Sequence, residues 1–170
     1  MKNLIYQYWL GKRPVGVNAG IENMKAYADQ VGAEYVFQTN PSWASDFCDI
    51  PEYYNAFEPV YNEIFDQWDK ILFVDTDVFA VDGLEENIFD QDIVDIGICR
   101  EKHKEITRAK GEGNINAKTD RLWNAYLEKK YGKNMPLNED GNMKVFNTGV
   151  VLYTPEGREK ARKNFKPFQE

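Results

Sequence analysis

The fold is decided by the ten residues KILFVDTDVF, 70–79. Residues 71–74 form a continuous apolar run with a charged residue on each side. A short run of this kind predicts a buried central strand. The two acidic residues that follow, Asp75 and Asp77, would then lie just beyond the carboxyl end of that strand.

The residues before this segment predict a β-α-β unit. Leu4 to Leu10 is an apolar and aromatic run, and Glu34 to Phe37 is a shorter one, so both predict strands. Between them, apolar residues recur at steps of three and four up to Gly32, which predicts an amphipathic helix that ends there. This order favours parallel strands with the helix packed on the sheet, an α/β fold.

The same patterns predict the remaining elements. We find no internal repeat and no linker, so one domain over residues 1–170 is expected. The predicted elements up to Lys118 are a helix with apolar positions from Phe57 to Trp68, a strand from Ile93 to Cys99 and a loop from Arg100 to Lys118. A helix around 122–127 is predicted to begin near Thr119 or Asp120 and to end at Gly132. It is followed by a predicted strand from Val145 to Tyr153 and a helix from Pro155 that is capped by Thr154.

Composition argues against several classes of function. The chain has 170 residues and a net charge of −7, so nucleic-acid binding, which needs clustered Lys and Arg, is not expected. The sequence lacks a run of about 18 apolar residues, so no membrane span is expected, and we see no signal peptide. Cys48 and Cys99 are expected to be partly buried free thiols in a reducing compartment, which favours a cytoplasmic protein.

The acidic pair predicts a metal site. Alternate residues of an extended chain point to the same side, so Asp75 and Asp77 are expected to aim both carboxylates at one point. Open α/β sheets bind ligands at that edge, and hard oxygen ligands suit Mg²⁺ or Mn²⁺ together with diphosphate oxygens. An Asp-x-Asp sequence alone is often a turn or a helix cap. The apolar strand and the two β-α units before it favour the functional interpretation.

Three stretches resemble the nucleotide-diphospho-sugar glycosyltransferases of the GT-A fold. Residues 70–79 are similar to their lysine, apolar strand and Asp-x-Asp motif, and FNTGVVLY, 146–153, is similar to their Asn-Ser/Thr-Gly strand. YQYWLG, 6–11, resembles the first strand of the clostridial toxin-type enzymes. The closest resemblance is to the glycogenin-like family. It implies a minimal GT-A domain, Rossmann-like, with a mixed but mainly parallel sheet flanked by helices.

The resemblance also implies roles for individual residues. Asp75 would contact the ribose or the sugar, Asp77 would be a direct metal ligand, and Trp9 or Tyr8 would stack on uracil. Asn147 would act beside the donor sugar or the acceptor as a third catalytic residue with Asp75 and Asp77. The donor and its metal would be bound by Gln7, Tyr8, Trp9, Asp75, Thr76, Asp77, Asn147, Thr148 and Gly149.

The implied reaction is metal-assisted transfer of a hexosyl group from a UDP-sugar to a hydroxyl acceptor, with Mn²⁺ or Mg²⁺ as cofactor. One alternative is a phosphatase of the haloacid dehalogenase type, with Asp75 as nucleophile and Asp77 as acid/base. In that family, however, the motif normally ends the first strand. The other alternative is a non-catalytic module that binds a nucleotide sugar. Candidates for acceptor contacts are Asp90, Asp92, Asp95 and Glu101.

The sequence departs from the family pattern at several positions. Glu58 stands where many relatives have an arginine that contacts the donor, and no histidine follows the 146–153 strand as a third metal ligand. The expectation is therefore a minimal enzyme or a chain that lacks its C-terminal lid. His103 is expected to be a solvated loop residue. A solvated helix face is expected for the basic residues Arg158, Lys160, Arg162, Lys163 and Lys166.

Overall fold

A computed structural model describes residues 1–46, 51–111 and 116–164 of the chain. These residues form strands β1 (Asn3–Trp9), β2 (Glu34–Thr39), β3 (Lys70–Val74), β4 (Ile96–Arg100) and β5 (Phe146–Tyr153). The α-helices are α1 (Val15–Val31), α2 (Pro51–Tyr54), α3 (Glu58–Tyr61), α4 (Lys102–Ala109), α5 (Ala117–Tyr131) and α6 (Pro155–Asn164). Short 3₁₀ helices span Trp43–Asp46, Asn55–Phe57, Glu63–Gln67 and Ile88–Asp90.

The strands form one mixed sheet in the order β2-β1-β3-β5-β4. β1 lies parallel to both β2 and β3, with Leu4 opposite Glu34 on one side and Ile71 on the other. β5 is antiparallel to β3. The predicted α/β fold is therefore confirmed, and the 71–74 run is a central strand of the sheet.

Both faces of the central strands are buried, which explains why their sequences are continuously apolar. Leu4 and Phe73 pack on one face with Phe65 and Trp68. Ile5 and Leu72 pack on the other face with residues of α1, among them Met24 and Ala28. The first helix follows its predicted pattern and ends at Gly32, which has a left-handed φ of 68°.

Two predictions about the elements are wrong. The helix predicted from Phe57 to Trp68 is broken into α3 and the Glu63–Gln67 turn, because Asn62 between them has an extended backbone and its side chain accepts a hydrogen bond from Ile64 N–H. The 100–118 segment, predicted as a loop, contains α4. Helix α5 begins earlier than predicted, because Asn116 caps it by accepting the Lys118 N–H and forming a capping box with Thr119.

The last helix is capped as predicted, and its basic residues are partly solvated, since Lys160 and Lys163 are exposed whereas Arg158 is buried. The Thr154 hydroxyl accepts the Gly157 N–H at 3.0 Å, as an N-cap should. Arg158 is buried, and its guanidinium donates to the carbonyls of Phe65 (2.7 Å) and Trp68 (2.5 Å). The Phe65 carbonyl also accepts the Trp68 N–H at 3.2 Å, so Arg158 is its second donor. Arg162 pairs with Asp66, and Lys160 with Asp95, whereas Lys166 lies outside the described residues.

The contacts divide the chain into two compact units. The first comprises residues 1–97 and 149–170, and the second comprises residues 98–148, so the chain passes between them within β4 and again within β5. The single domain expected from the sequence stays a prediction. Within the described ranges, no helix combines the length and apolar character needed to span a bilayer.

Candidate functional site

The chain turns immediately after β3, in the first unit. The Asp75 N–H donates to the Gly149 carbonyl at 2.8 Å, and the Asp75 carbonyl accepts the Val78 N–H at 3.1 Å. The backbone thus closes a turn over residues 75–78, whereas the alternation argument assumed an extended chain. The outcome is nevertheless similar, because Asp75 and Asp77 are both exposed and Thr76 between them is buried.

Both aspartates line the same cavity of about 730 Å³ at the carboxyl ends of β1 and β3. Both residues thus lie at one cavity, while their predicted roles in binding a metal and a nucleotide stay predictions. The walls are formed by the end of β1, the start of α1 and the turn after β3. The lining residues are Tyr8, Trp9, Leu10, Pro14, Gly16, Val17, Asp75, Thr76, Asp77 and Phe79.

Gln7 stabilises the turn over residues 75–78 from within the protein core. Its side chain is fully buried, its amide N–H donates to the Asp75 carbonyl at 3.1 Å, and its amide oxygen accepts the Tyr35 hydroxyl at 2.7 Å. Gln7 does not line the cavity, so its predicted contact with the nucleotide stays a prediction. A signal was present in the sequence, because a lone amide in a buried parallel strand must find internal partners.

Helix α1 packs against the same turn at Gly20. A Cβ atom at Gly20 would lie 2.0 Å from the Thr76 carbonyl oxygen. Only glycine permits this approach, and the helix therefore contacts the turn backbone directly. The sequence did not reveal this role, because it depends on a neighbour 56 positions along the chain, the difference between 76 and 20.

The two carboxylates interact electrostatically. Partial desolvation of its carboxyl group by the surrounding protein, and then the negative charge of Asp77, raise the pKa of Asp75. A cation placed between them would reverse the second effect and stabilise both ionised forms. Within the described parts of the chain, no cluster of three or more His, Cys, Asp or Glu can hold a metal ion. Two carboxylates still suit Mg²⁺ or Mn²⁺ when substrate phosphates and water fill the other positions.

Aromatic side chains form another part of the cavity wall. Tyr8 stacks on Phe73, with ring centroids 5.7 Å apart and planes 25° apart. Trp9 projects on the opposite side of β1, and its indole N–H donates to the Lys12 carbonyl at 3.2 Å. Both side chains are half-buried, so each exposes part of a ring to the cavity. A flat base gains from such a face.

The start of α1 adds a region of positive potential. Pro14 at its N-cap makes no side-chain cap hydrogen bond, and both Pro14 and Gly16 line the cavity. The first N–H groups of a helix and its dipole favour negative charge at this end. An anionic ligand in this cavity would therefore meet a helix N-terminus as well as any cation held by the aspartates.

The other residues of the predicted site belong to β5. Gly149 is buried in the first unit, where its carbonyl accepts the Asp75 N–H. Asn147 and Thr148 belong to the second unit and are exposed. Asn147 donates to the Glu101 carboxylate at 3.4 Å within that unit, and Lys104 pairs with the same carboxylate at 2.8 Å.

Several predictions about isolated residues need correction. Cys99 is an exposed free thiol, because it lies near the end of an exposed strand, whereas Cys48 lies outside the described residues. His103 lies on α4, not in a loop. Glu58 is buried and accepts hydrogen bonds from the Tyr6 hydroxyl (3.0 Å) and the Asn62 amide (2.9 Å).

Comparisons with known proteins support the fold. No protein-family model and no curated protein matches the sequence. The structure is similar to that of a glycosyltransferase involved in the glycosylation of the major capsid of PBCV-1, with a TM-score of 0.52 and 13% sequence identity over 98% of this chain and 69% of that one. A second structure, A197 from STIV, gives a TM-score of 0.36 and 10% identity over 94% and 68%, which is too low to carry an argument. The class that emerges is an α/β fold resembling a glycosyltransferase structure.

Proposed function

We propose that the chain is a glycosyltransferase that uses a UDP-sugar and a divalent cation, Mn²⁺ or Mg²⁺, held by Asp75 and Asp77. The observation that carries the proposal is that Asp75 and Asp77 line one cavity at the carboxyl edge of the sheet. The raised pKa of Asp75, caused by desolvation and then by the negative charge of Asp77, supports it, because a cation bound beside the two carboxylates would offset their repulsion.

The cavity combines the surfaces that a nucleoside diphosphate needs. Trp9 and Tyr8 offer ring faces for the base, and the start of α1 favours the diphosphate. The bound cation would stabilise the negative charge that develops on the departing diphosphate. The protein's part is to hold the Asp75–Asp77 turn in place through Gln7, Gly20 and the Gly149 carbonyl.

Asn147 and Thr148 are part of the proposal because their strand resembles the Asn-Ser/Thr-Gly strand of the GT-A enzymes. Their exposure leaves both side chains accessible to a ligand. Asn147 and Glu101 share a hydrogen bond, so we propose that this pair contacts the transferred sugar or the hydroxyl acceptor. We also propose a cytoplasmic location, in keeping with the thiol of Cys99.

A second candidate function is nucleotide-sugar binding without transfer. The observation that favours it is the lack, among the described residues, of a third acidic, histidine or cysteine ligand beside the aspartates. In the phosphatase alternative, Asp75 would end the first strand, but here it follows the third strand along the chain.

Calorimetric titration tests the proposal. We expect UDP to bind with Mn²⁺ and much more weakly without it, and ADP and GDP to bind less well. Asp77→Ala should reduce the Mn²⁺-dependent affinity about 100-fold, because the metal loses a direct ligand. Asp82→Ala is the matched control, since Asp82 is exposed in the same unit but does not line the cavity.

Turnover assays separate the three functions. Metal-dependent hydrolysis of a UDP-sugar supports the transferase, and UDP binding without release of sugar supports the binding module. Turnover of a generic phosphate ester that is lost in Asp75→Asn supports the phosphatase. Equal UDP affinity of Asp77→Ala and the unaltered chain in Mn²⁺ would contradict the metal site.

A further inference from the structure

Helix α5 of the second unit exposes large apolar side chains. Leu122 is 65% exposed, Trp123 60%, Tyr126 47% and Tyr131 58%. Trp123 and Tyr126 contact each other edge to face, with ring centroids 6.0 Å apart. Together with Thr119, the first three line a shallow depression of about 430 Å³. We call Leu122, Trp123 and Tyr126 the α5 aromatic face.

Lysines lie on the same side of the helix. Steps of three and four residues connect Lys118 to Leu122, Leu122 to Tyr126, and Tyr126 to Lys129 and Lys130. The Lys130 ammonium lies 5.5 Å from the centre of the Tyr126 ring and 5.2 Å from that of Tyr131. Exposed aromatic rings and cationic groups are therefore interleaved on one surface.

The acidic residues of α5 do not lie on this face. Asp120 is buried and pairs with Arg108 at 3.4 Å. Glu128 is two residues from Tyr126 and six from Leu122, which places it on the opposite side of the helix. The helix carries four basic and two acidic residues, in a chain with a net charge of −7. This face thus has the charge opposite to that of the whole chain.

We propose that the α5 aromatic face docks on the surface of a bilayer that contains anionic phospholipids. Trp and Tyr rings have an apolar body and a polar tip, which suits them to the headgroup region. Lysine stems lie along such a surface while their ammonium groups reach the lipid phosphates. The helix would lie in the interface and not cross it, because it has 15 residues and carries charged side chains.

Charge argues against a second copy of this chain as the occupant. A two-fold contact through the face would bring Lys118, Lys129 and Lys130 against the same residues of the partner, with no acidic side chain on that face to pair with them. A soluble, uncharged carbohydrate fits less well, because it would leave the lysines of this face without an anionic partner. An anionic surface satisfies both the rings and the lysines. The inference is independent of the proposed transferase activity.

Vesicle sedimentation of the full chain tests the proposal. We expect the protein to sediment with vesicles of phosphatidylcholine and phosphatidylglycerol, to remain in solution with phosphatidylcholine alone, and to be released by salt. Replacing Trp123→Ser and Tyr126→Ser together should reduce the partition coefficient about tenfold or more. Lys129→Glu with Lys130→Glu should do the same on anionic vesicles. The altered side chains are exposed, so near-native thermal stability is expected.

Tyr53→Ser is the matched control, because Tyr53 is 70% exposed and lies in the first unit. It should leave sedimentation unchanged. The proposal is overturned if the unaltered chain binds neither kind of vesicle or binds both equally. It is also overturned if Tyr53→Ser reduces sedimentation with anionic vesicles as much as the α5 variants do. A concentration-dependent dimer that is lost with Trp123→Ser and Tyr126→Ser, without vesicle binding, would instead assign the face to a second copy.

Discussion

Two carboxylates of this molecule lie in opposite electrostatic environments. Glu105 in the second unit is buried and bound by Arg100 at 2.7 and 2.9 Å, by the Asn138 amide at 2.9 Å and by the Val145 N–H at 3.2 Å. Arg100 first, with Asn138 and Val145, lowers the pKa of Glu105 to about 2. Asp75 in the first unit has Asp77 as its charged neighbour, and its pKa is raised.

The difference separates a structural carboxylate from one available to a ligand. The fold supplies Glu105 with a cation and two neutral donors, so its charge is compensated internally. The backbone of Asp75 is held from several sides, by Gln7, Val78 and Gly149, while its side chain faces a cavity beside another acid. A rigid backbone with an uncompensated charge is what a cation site requires before the cation arrives.

The largest expected effect comes from exchanging charge for amide at both sites. Asp75→Asn should reduce Mn²⁺-dependent UDP affinity about 100-fold and, at neutral pH, raise the melting temperature, because it removes a like-charge repulsion. Glu105→Gln should leave the affinity unchanged and lower the melting temperature by several degrees, since Arg100 loses its partner. Calorimetry and thermal denaturation measure both. The comparison fails if the two variants change affinity and stability in the same direction.

A smaller effect is expected from the glycine beneath the turn. Gly20→Ala places a Cβ atom 2.0 Å from the Thr76 carbonyl oxygen, so the turn must move and the affinity for UDP with Mn²⁺ should fall about tenfold. Gly157→Ala is the matched control, because its Cβ would meet the Asp95 carbonyl at 2.1 Å, away from the cavity lining. Both variants should lose stability. Equal affinities of the two variants for UDP with Mn²⁺ would show that Gly20 does not position the turn for ligand binding.

The buried amide should contribute next. Gln7→Leu removes the donor to Asp75 and the acceptor for Tyr35, which should lower the free energy of unfolding by about 1–3 kcal/mol. It should also weaken Mn²⁺-dependent UDP binding a few fold. Tyr35→Phe is the control, because it removes the hydroxyl but leaves the Gln7 amide on the turn. If Tyr35→Phe weakens UDP binding as much as Gln7→Leu, the bond to Asp75 is not what positions the turn.

The smallest effects should appear in pH dependence, with opposite signs at the two carboxylates. Glu105 ionises more readily in the folded chain than at its ordinary value of 4.5, so its contribution to stability is present above about 4.5 and is lost as pH falls through about 2. Asp75 has a raised pKa, so its contribution is present below its ordinary value of 3.8 and is lost as pH rises through the folded value. Denaturation of Glu105→Gln and Asp75→Asn across pH 2–7 separates them. Parallel pH profiles of these variants and the unaltered chain would contradict both assignments.

The sequence predicted the parts of the fold and site that depend on local patterns. The apolar run at 71–74 identified the central strand, and the aspartates after it lie at the cavity because the end of a strand fixes where the next residues begin. The Gly32 stop signal was correct for the same local reason. A break in the backbone at Asn62 was missed, because apolar spacing alone does not report it.

Features that depend on residues distant in the chain could not be predicted from the sequence. Gly20 was recognisable as a glycine in a helix, but its contact with Thr76 exists only after α1 packs on the sheet. Arg158 had the pattern of a solvated face, yet its guanidinium is buried and donates to the carbonyls of Phe65 and Trp68. Tertiary hydrogen bonds decide such positions, and periodicity does not encode them.

We propose that Asp77 binds a divalent cation, which in turn binds a nucleoside diphosphate. A crystal structure of the chain with UDP and Mn²⁺ tests it most directly, because the anomalous signal of manganese locates the ion. We expect one ion in the cavity, coordinated by a carboxylate oxygen of Asp77 and by diphosphate oxygens, with the base against Trp9 or Tyr8. UDP bound away from this cavity, or an ion without Asp77 among its ligands, would contradict it.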